Sequence, residues 1–449
     1  MTAGLPRRGG ESRSMSVQRA ASQPPKTDQK KRSSSILADY PHALFHVLSH
    51  LRCLPFAGLR HFWRRRLHRL VWGGKLTPPL TTICINGKFT AQRTTGVQRV
   101  ASRLVQALDD RLRAMPSDAR RARWVLLCPP TGTLPRLTHI EARRVGRVAL
   151  PLHLWEQVVL PWAARRDVLV NLAGSAPAMG RKQVCMVHDG AVFDRPAAYT
   201  RAFVAWYCWL FRRLARRALK LLTVSAFSRE RLAAHLHLPA ARIGIVPNGG
   251  DHLDDVAADH TALARHGLTG TRFLLAVGSA NPNKNLSMLA KAYATLQPEA
   301  DVRLVIVGGR SEQVFADADS SAQAADPPGL LRLGAIDDAA LKALYQHATA
   351  LVFPSLYEGF GLPPLEAMAY GCPVAAARAG ATPEVCGEAA LYFDPESLDG
   401  IAAAVRTLLI DAPLRERLRA AGSVRVASFR WADAARALLA QVMPEVDRR

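Results

Sequence analysis

The chain is short of acid and has no organised cysteine. Its 449 residues carry 36 Asp+Glu against 60 Lys+Arg, a net charge of +24. The 7 cysteines (Cys53, Cys84, Cys128, Cys185, Cys208, Cys372 and Cys386) are odd in number and nowhere spaced C-x-x-C. This excludes a disulfide framework and a cysteine zinc site, and suits a reducing compartment. The first 35 residues lack the apolar core of a signal peptide. The longest apolar stretches, near 43–51 and 202–214, are broken by His or Arg well short of the ~20 residues a spanning helix needs. A cytoplasmic protein not integral to a membrane is expected. What is plentiful is apolar material: 49% hydrophobic residues at this length supports two or three ordinary cores and excludes a wholly disordered chain.

The charge is unevenly spread. Residues 1–75 hold 15 basic and 3 acidic side chains, 76–250 hold 27 and 9, and 251–449 hold 18 and 24. A cationic first half points to an anionic partner, because fields of this kind act on association rather than on fold. Residues 1–40 form a basic tail too poor in aliphatic residues to order. Residues 41–76 form an arm mixing Phe45, Phe56, Phe62 and Trp63 with Arg52, Arg60, Arg64, Arg65, Arg66 and Arg69. Such an arm either lies flat on an anionic membrane or packs on the domain that follows.

From residue 81 short apolar runs alternate with amphipathic stretches. Strands are expected at 81–85, 124–128, 167–172, 184–188, 221–224 and 243–246, then at 273–277, 303–307, 330–333, 350–353, 374–377 and 390–393. Helices fall between them, including an apolar stripe at Val97, Val100, Leu104, Val105 and Leu108 and an arginine-studded helix over 202–219. Two βα series joined by a polar linker imply two doubly wound Rossmann-like parallel-sheet domains, at 77–250 and 251–430, with a C-terminal helix and tail at 431–449. Ligands of such sheets bind at the carboxyl ends of the strands, so the cleft between the domains is the expected site.

The most informative string is Pro354-Ser-Leu-Tyr-Glu-Gly-Phe-Gly-Leu-Pro-Pro-Leu-Glu366. It leaves a strand, crosses a glycine loop and enters a helix whose first turn tolerates proline. N–H groups near Gly361 and Leu362 then suit a phosphate, while Glu358 and Glu366 can accept hydrogen bonds from sugar hydroxyls. A ligand with both sugar and phosphate parts follows. Asp317-Ala-Asp319 has the D-x-D form of metal-dependent transferases but lies in an Ala/Asp/Ser-rich loop, so no metal and no other cofactor is expected.

The whole string resembles the signature of retaining glycosyltransferase family 4, which has the two-domain GT-B fold. Val277-Gly-Ser-Ala-Asn-Pro-Asn-Lys-Asn285 is similar to that family's donor-phosphate segment, bringing in Gly278, Ser279 and Lys284. Ser279 stands where the family often has Arg, and Asn283 where it often has a basic residue, which leaves Lys284 as the cation for the pyrophosphate. His188-Asp189 resembles the family's histidine facing the donor sugar, and Thr95-Gly96-Val-Gln-Arg99 its glycine loop. Ser225 and Asn248-Gly249 also match, in roles read as structural.

The resemblance implies His188 and Glu358 as catalytic residues. It implies a donor site of Gly96, Gly278, Ser279, Lys284, Gly359, Phe360, Gly361, Leu362 and Glu366, with Glu366 on the nucleoside ribose. The His-Asp pair and the Gly-Leu-Pro-Pro-Leu-Glu form look most like the mannosyltransferase branch, hence GDP-mannose as donor. The expected acceptor is a lipid-linked saccharide of a surface polysaccharide, at an anionic membrane surface on the inner face of the plasma membrane. The competing readings are a nucleotide-sugar epimerase or phosphorylase on a similar fold, and a non-catalytic nucleic-acid binder. Against the last, no nucleic-acid module is recognisable.

Overall fold

The apolar runs become strands because both of their faces are covered. A computed structural model describes residues 81–296, 302–308 and 326–447. The basic tail, the arm over 41–76, and Asp317 and Asp319 lie outside the described residues. Within them the Val-, Ile-, Leu- and Ala-rich runs form two all-parallel sheets, which need continuous apolar sequence rather than alternation.

The first sheet contains β1 (Thr81–Asn86), β2 (Ala122–Cys128), β3 (Ile140–Arg144), β4 (Val168–Asn171), β5 (Gln183–Met186), β6 (Lys220–Thr223) and β7 (Ile243–Ile245). Their order is β3-β2-β1-β4-β5-β6-β7. Strand β3 is the one the apolar pattern does not predict. It is an edge strand with Ile140 buried while Glu141, Arg143 and Arg144 face solvent, as edges permit. Helix α1 (Gly96–Ala114) buries the expected stripe of Val100, Leu104, Val105 and Leu108. Residues 152–163 form a helical segment, α2, whose middle, Trp155–Val159, is a π-helix. Helices α3 (Arg201–Arg217) and α4 (Ala226–Leu236) complete this domain's described layers.

The second sheet contains β8 (Arg272–Val277), β9 (Val302–Val307), β10 (Leu330–Gly334), β11 (Ala350–Phe353), β12 (Val374–Ala377) and β13 (Ala390–Phe393), in the order β10-β9-β8-β11-β12-β13. It is flanked by α5 (Leu286–Thr295), α6 (Asp338–His347), α7 (Leu362–Ala369), α8 (Leu398–Ile410) and α9 (Ala412–Val426). The chain then crosses back. Gly250 N–H donates to the Phe429 carbonyl (2.9 Å), and Asp251 Oδ1 accepts from Trp431 N–H (2.9 Å), so the two crossing strands of chain run side by side. Helix α10 (Trp431–Asp447) packs through Leu438 and Val442 onto α1 and β6 of the first domain. Among the described residues no helix is long and apolar enough to cross a membrane.

Strand order reverses at β1/β4 and at β8/β11. Loops leaving the two strands of such a pair turn to opposite sides and open a crevice between them. Residues after β8 and after β11, distant in sequence, therefore become neighbours.

Candidate active site

The second crevice holds the lysine and the first glutamate of the motifs. β8 and β11 pair directly, so the loop after β8 meets the loop after β11, and Lys284 Nζ donates to Glu358 Oε1 at 2.6 Å. Their side chains are only 21% and 13% exposed, which shields the pair from full solvent screening. Lys284 ends a short turn capped by Asn281, whose side chain accepts from Asn283 N–H (2.9 Å). A Cβ on Gly278 would come 3.2 Å from Lys284 Cγ, so the missing side chain lets the lysine stem pass. The Ser279 carbonyl accepts from Asn281 N–H (2.8 Å) within the same turn. Glu358 is held from behind: its carbonyl accepts from Ala381 N–H (3.0 Å). A Cβ on Gly380, whose φ is +59°, would stand 2.6 Å from the Glu358 carbonyl oxygen, a position only glycine can fill.

Helix α7 starts at Leu362, after Gly361 at φ +102°. Pro363 and Pro364 carry no N–H, so the first turn offers an anion the N–H groups of Gly361 and Leu362 alone. Two residues of the motif have buried side chains. The Phe360 side chain is buried, edge-on to Phe429 with ring centroids 5.7 Å apart, so only its backbone can face a donor. Glu366 is 5% exposed, and its Oε2 accepts from the Tyr345 hydroxyl at 2.7 Å. His252 Nε2 lies 3.0 Å from Oε1, within ion-pair distance but off the axis of a hydrogen bond. Burial would raise the Glu366 carboxyl, but His252, the Tyr345 hydroxyl and the Arg99 charge outweigh it and hold it below the usual range.

The first domain closes on this loop from the other side. His188 lies just past β5, with Nε2–H donating to the Leu172 carbonyl (2.9 Å), which leaves Nδ1 as an acceptor. Burial pushes the imidazole down to about 4, against that hydrogen bond. Asp189 is a turn former, with Oδ1 accepting from Ala191 N–H (2.9 Å). A Cβ on Gly359 would lie 2.6 Å from Asp189 Cβ and 2.8 Å from the His188 carbonyl oxygen, so the two domains touch where only glycine fits. Ser225 caps α4 as expected, accepting from Ser228 N–H, and its hydroxyl also donates to the Gly359 carbonyl (2.6 Å). The α4 N-terminus binds a carboxylate of the second domain, Glu384, through Ala226 and Phe227 N–H (2.7 and 2.8 Å).

Arg99, from the glycine-loop motif, makes a bidentate pair with Asp338 at the start of α6 (2.8 and 2.7 Å). Burial opposes the Asp338 charge, yet the Arg99 hydrogen bonds hold its carboxyl below the usual range. Gly96 itself is exposed, and a Cβ there would meet nothing within 4 Å.

A second polar centre, invisible in the motifs, occupies the β1/β4 crevice. Lys88 Nζ donates to Glu156 Oε2 (2.8 Å) and to Ser175 Oγ (3.0 Å). Glu156 Oε1 accepts from Ser175 Oγ (2.7 Å) and Asn86 Nδ2 (2.9 Å). Lys88 and Glu156 are 2% and 1% exposed, and the π turn of α2 carries the glutamate. Only the fold brings Asn86, Lys88, Glu156 and Ser175 together; in the sequence each looks like an isolated polar residue. Among the described residues no three His, Cys, Asp or Glu side chains converge as a metal site requires.

Residues 94–252 match the profile of Glycosyltransferase Family 4, and residues 261–425 that of Glycosyl transferases group 1. The O-antigen chain mannosyltransferase B of Escherichia coli is 32% identical over 258 residues, covering 56% of this chain and 67% of that protein. This chain belongs to glycosyltransferase family 4. A second relative, the MMP alpha-(1->4)-mannosyltransferase of Mycolicibacterium hassiacum, is 34% identical over 276 residues, which take in 56% of this chain and 63% of its own length.

The GT-B architecture is shared with solved structures. Sucrose-phosphate synthase of Thermosynechococcus elongatus superposes with TM-score 0.60 at 19% identity, covering 82% of this chain and 99% of that one. WaaG, a glycosyltransferase involved in lipopolysaccharide biosynthesis, gives 0.59 at 16%, covering 79% and 97%.

The histidine of this family 4 glycosyltransferase gives a pH test. Between its ordinary value of 6.5 and about 4, the unfolded chain takes up a proton at His188 that the folded one refuses. Stability should therefore fall as pH falls through that window and be fully present above it. His188→Gln, which keeps a donor for the Leu172 carbonyl, is expected to flatten this part of the melting-temperature profile. Superimposable profiles would show that the imidazole is not held neutral.

Proposed function

We propose that this glycosyltransferase moves mannose from GDP-mannose, with retention of anomeric configuration, to a lipid-linked saccharide during assembly of a surface polysaccharide at an anionic membrane. The reading rests on the Lys284–Glu358 pair in the β8/β11 crevice, facing the first domain's His188 loop. The names of the relatives, an O-antigen chain and an alpha-(1->4) mannosyltransferase, support the choice of sugar and product.

Cleaving a sugar–pyrophosphate bond leaves negative charge on the departing phosphate. Lys284 and the N–H groups of Gly361 and Leu362 would meet that charge in a prearranged site, where such donors act most strongly. A donor phosphate takes Lys284 from Glu358, and the freed carboxylate then accepts from a hydroxyl of the donor sugar. His188, neutral with Nδ1 as its acceptor, takes a hydrogen bond from another hydroxyl across the cleft. The acceptor oxygen bonds the anomeric carbon on the face the phosphate leaves, and its proton passes to the departing phosphate oxygen. The bonds formed and broken thus balance without a separate protein base. Contacts across Gly359 exclude water and limit hydrolysis.

A panel of nucleotide sugars tests the donor, because a ligand bound only by the folded state raises its melting temperature. GDP-mannose is expected to give the largest rise, and α-linked mannose should appear only when acceptor is added. Stabilisation by a UDP-sugar instead would overturn the donor, and conversion of the donor without acceptor would favour an epimerase.

A further inference from the structure

The first sheet has two faces, and they are finished differently. Ile83, Ile85, Val168, Val170, Val184 and Met186 point into the core that α1 and α10 cover. The alternate residues point to the opposite face, where Cys84, Val125 and Leu169 pack on α2, and Cys185, Val187 and Leu221 pack on α3. Helices α2 and α3 therefore lie in one layer on one face, and their outer sides form one surface. The loop after β4 bridges them: Gln157 Nε2 donates to the Ala176 carbonyl (3.1 Å), and Arg213 Nη2 reaches Met179 Sδ (3.3 Å).

That outer surface is apolar and cationic together. Leu154, Val158 and Trp162 follow one another at helical spacing on α2, the last two 57% and 69% exposed, and Trp206 and Trp209 of α3 are exposed, as is Met179, which lies against Arg213 and Arg217. The indoles of Trp206 and Trp209 lie 5.2 Å apart, and the Arg165 guanidinium covers Trp162 at 4.6 Å. Between residues 146 and 166 and between 201 and 220 the sole acidic residue is Glu156, which is buried on Lys88. Among the described residues the guanidinium groups of Arg213 and Arg217 meet only the thioether of Met179, a weak acceptor, and Arg213 Nε is buried with no hydrogen-bond partner. Among the described residues neither these two nor Arg165 and Arg216 form an ion pair.

Exposed indoles set among arginines that have no counter-charge among the described residues match the headgroup boundary of an anionic bilayer, where aromatic rings sit at the interface and each cation adds attraction. We propose that the outer face of α2 and α3 is the surface by which this protein docks on anionic lipid, with Trp162, Trp206 and Trp209 entering the interface. This deepens the reading of a lipid-linked acceptor and assigns the contact to the folded first domain.

The test uses the full chain with vesicles of phosphatidylcholine alone or mixed with phosphatidylglycerol. Sedimentation with the mixed vesicles only, and a blue shift of tryptophan emission, are expected. Trp162→Ala/Trp206→Ala/Trp209→Ala should lower the partition coefficient at least tenfold, and Arg213→Glu/Arg216→Glu/Arg217→Glu roughly a hundredfold at low salt. The second variant leaves the apolar packing intact and so guards against misfolding of the first. Transfer to a soluble saccharide should survive in both, so failure of the docking assignment is separable from failure of the proposed reaction. Native partitioning in both variants would overturn the proposal. So would a native dimer dissolved by the tryptophan changes, or mannan binding lost with them while vesicle binding persists.

Discussion

Lys284→Ala is expected to lower kcat by roughly a hundred- to a thousandfold, the usual loss when one prearranged group facing a developing charge is removed. The protein should remain folded. Among the described residues the lysine's ion pair is with Glu358, in a setting between an exposed pair, worth ~1 kcal/mol, and a fully buried one, whose breakage costs ~3–5 kcal/mol. Glu358→Ala should lose transfer to a similar degree, while its lysine stays free to hold phosphate. The two variants then differ in donor binding: GDP should still stabilise Glu358→Ala against heat and should stabilise Lys284→Ala far less. Turnover near the native rate in either variant would remove this pair from the chemistry, and equal stabilisation by GDP would remove Lys284 from the phosphate.

The second large effect concerns stability rather than rate. Lys88→Met should cost about 3–5 kcal/mol, because it leaves the Glu156 carboxylate buried with its cation gone. Ser175 and Asn86 still donate to that carboxylate, but neither carries charge. Adding Glu156→Gln keeps an acceptor for both donors and removes the orphaned charge, so Lys88→Met/Glu156→Gln should regain more than half of the loss. Urea midpoints of the single and double variants decide it. A double variant no more stable than the single would mean that the lysine stem, rather than its charge, holds the β1/β4 crevice together.

Much of the fold is legible in the chain because parallel strands buried on both faces leave short unbroken apolar runs. β11, β12 and β13 fall at the expected residues, each ending at a proline or charged residue: Pro354, Arg378 and Asp394. The features that escape such reading are those where the apolar rule is suspended. β3 alternates charge on an open edge, and α2 combines Pro161 with a π turn and outward Leu154, Val158 and Trp162, which blurs its helical stripe.

The site divides in the same way. Lys284, Glu358 and His188 stand in recognisable strings, but the pairing of the first two across 74 residues follows from strand order, which no local pattern encodes. Arg99, Asp338, Lys88 and Glu156 look in the sequence like solvated charges. They acquire their roles only when topology supplies a partner. The burial of Glu366 under Tyr345 and His252 is of the same kind, since both neighbours arrive from outside the motif.

Helix α10 carries a consequence for how the molecule is made. Domains ordinarily fold as units during synthesis, the earlier before the later. Here the core side of α1, including Leu108 and Leu112, is closed by Leu438 and Val442, more than three hundred residues downstream. The second domain can reach its final packing while the first still lacks a wall, so the half made first is finished last. Until the ribosome has passed residue 447, the nascent chain presents an apolar helix face to the cell, and a chaperone that shields such faces has its longest working time on this domain.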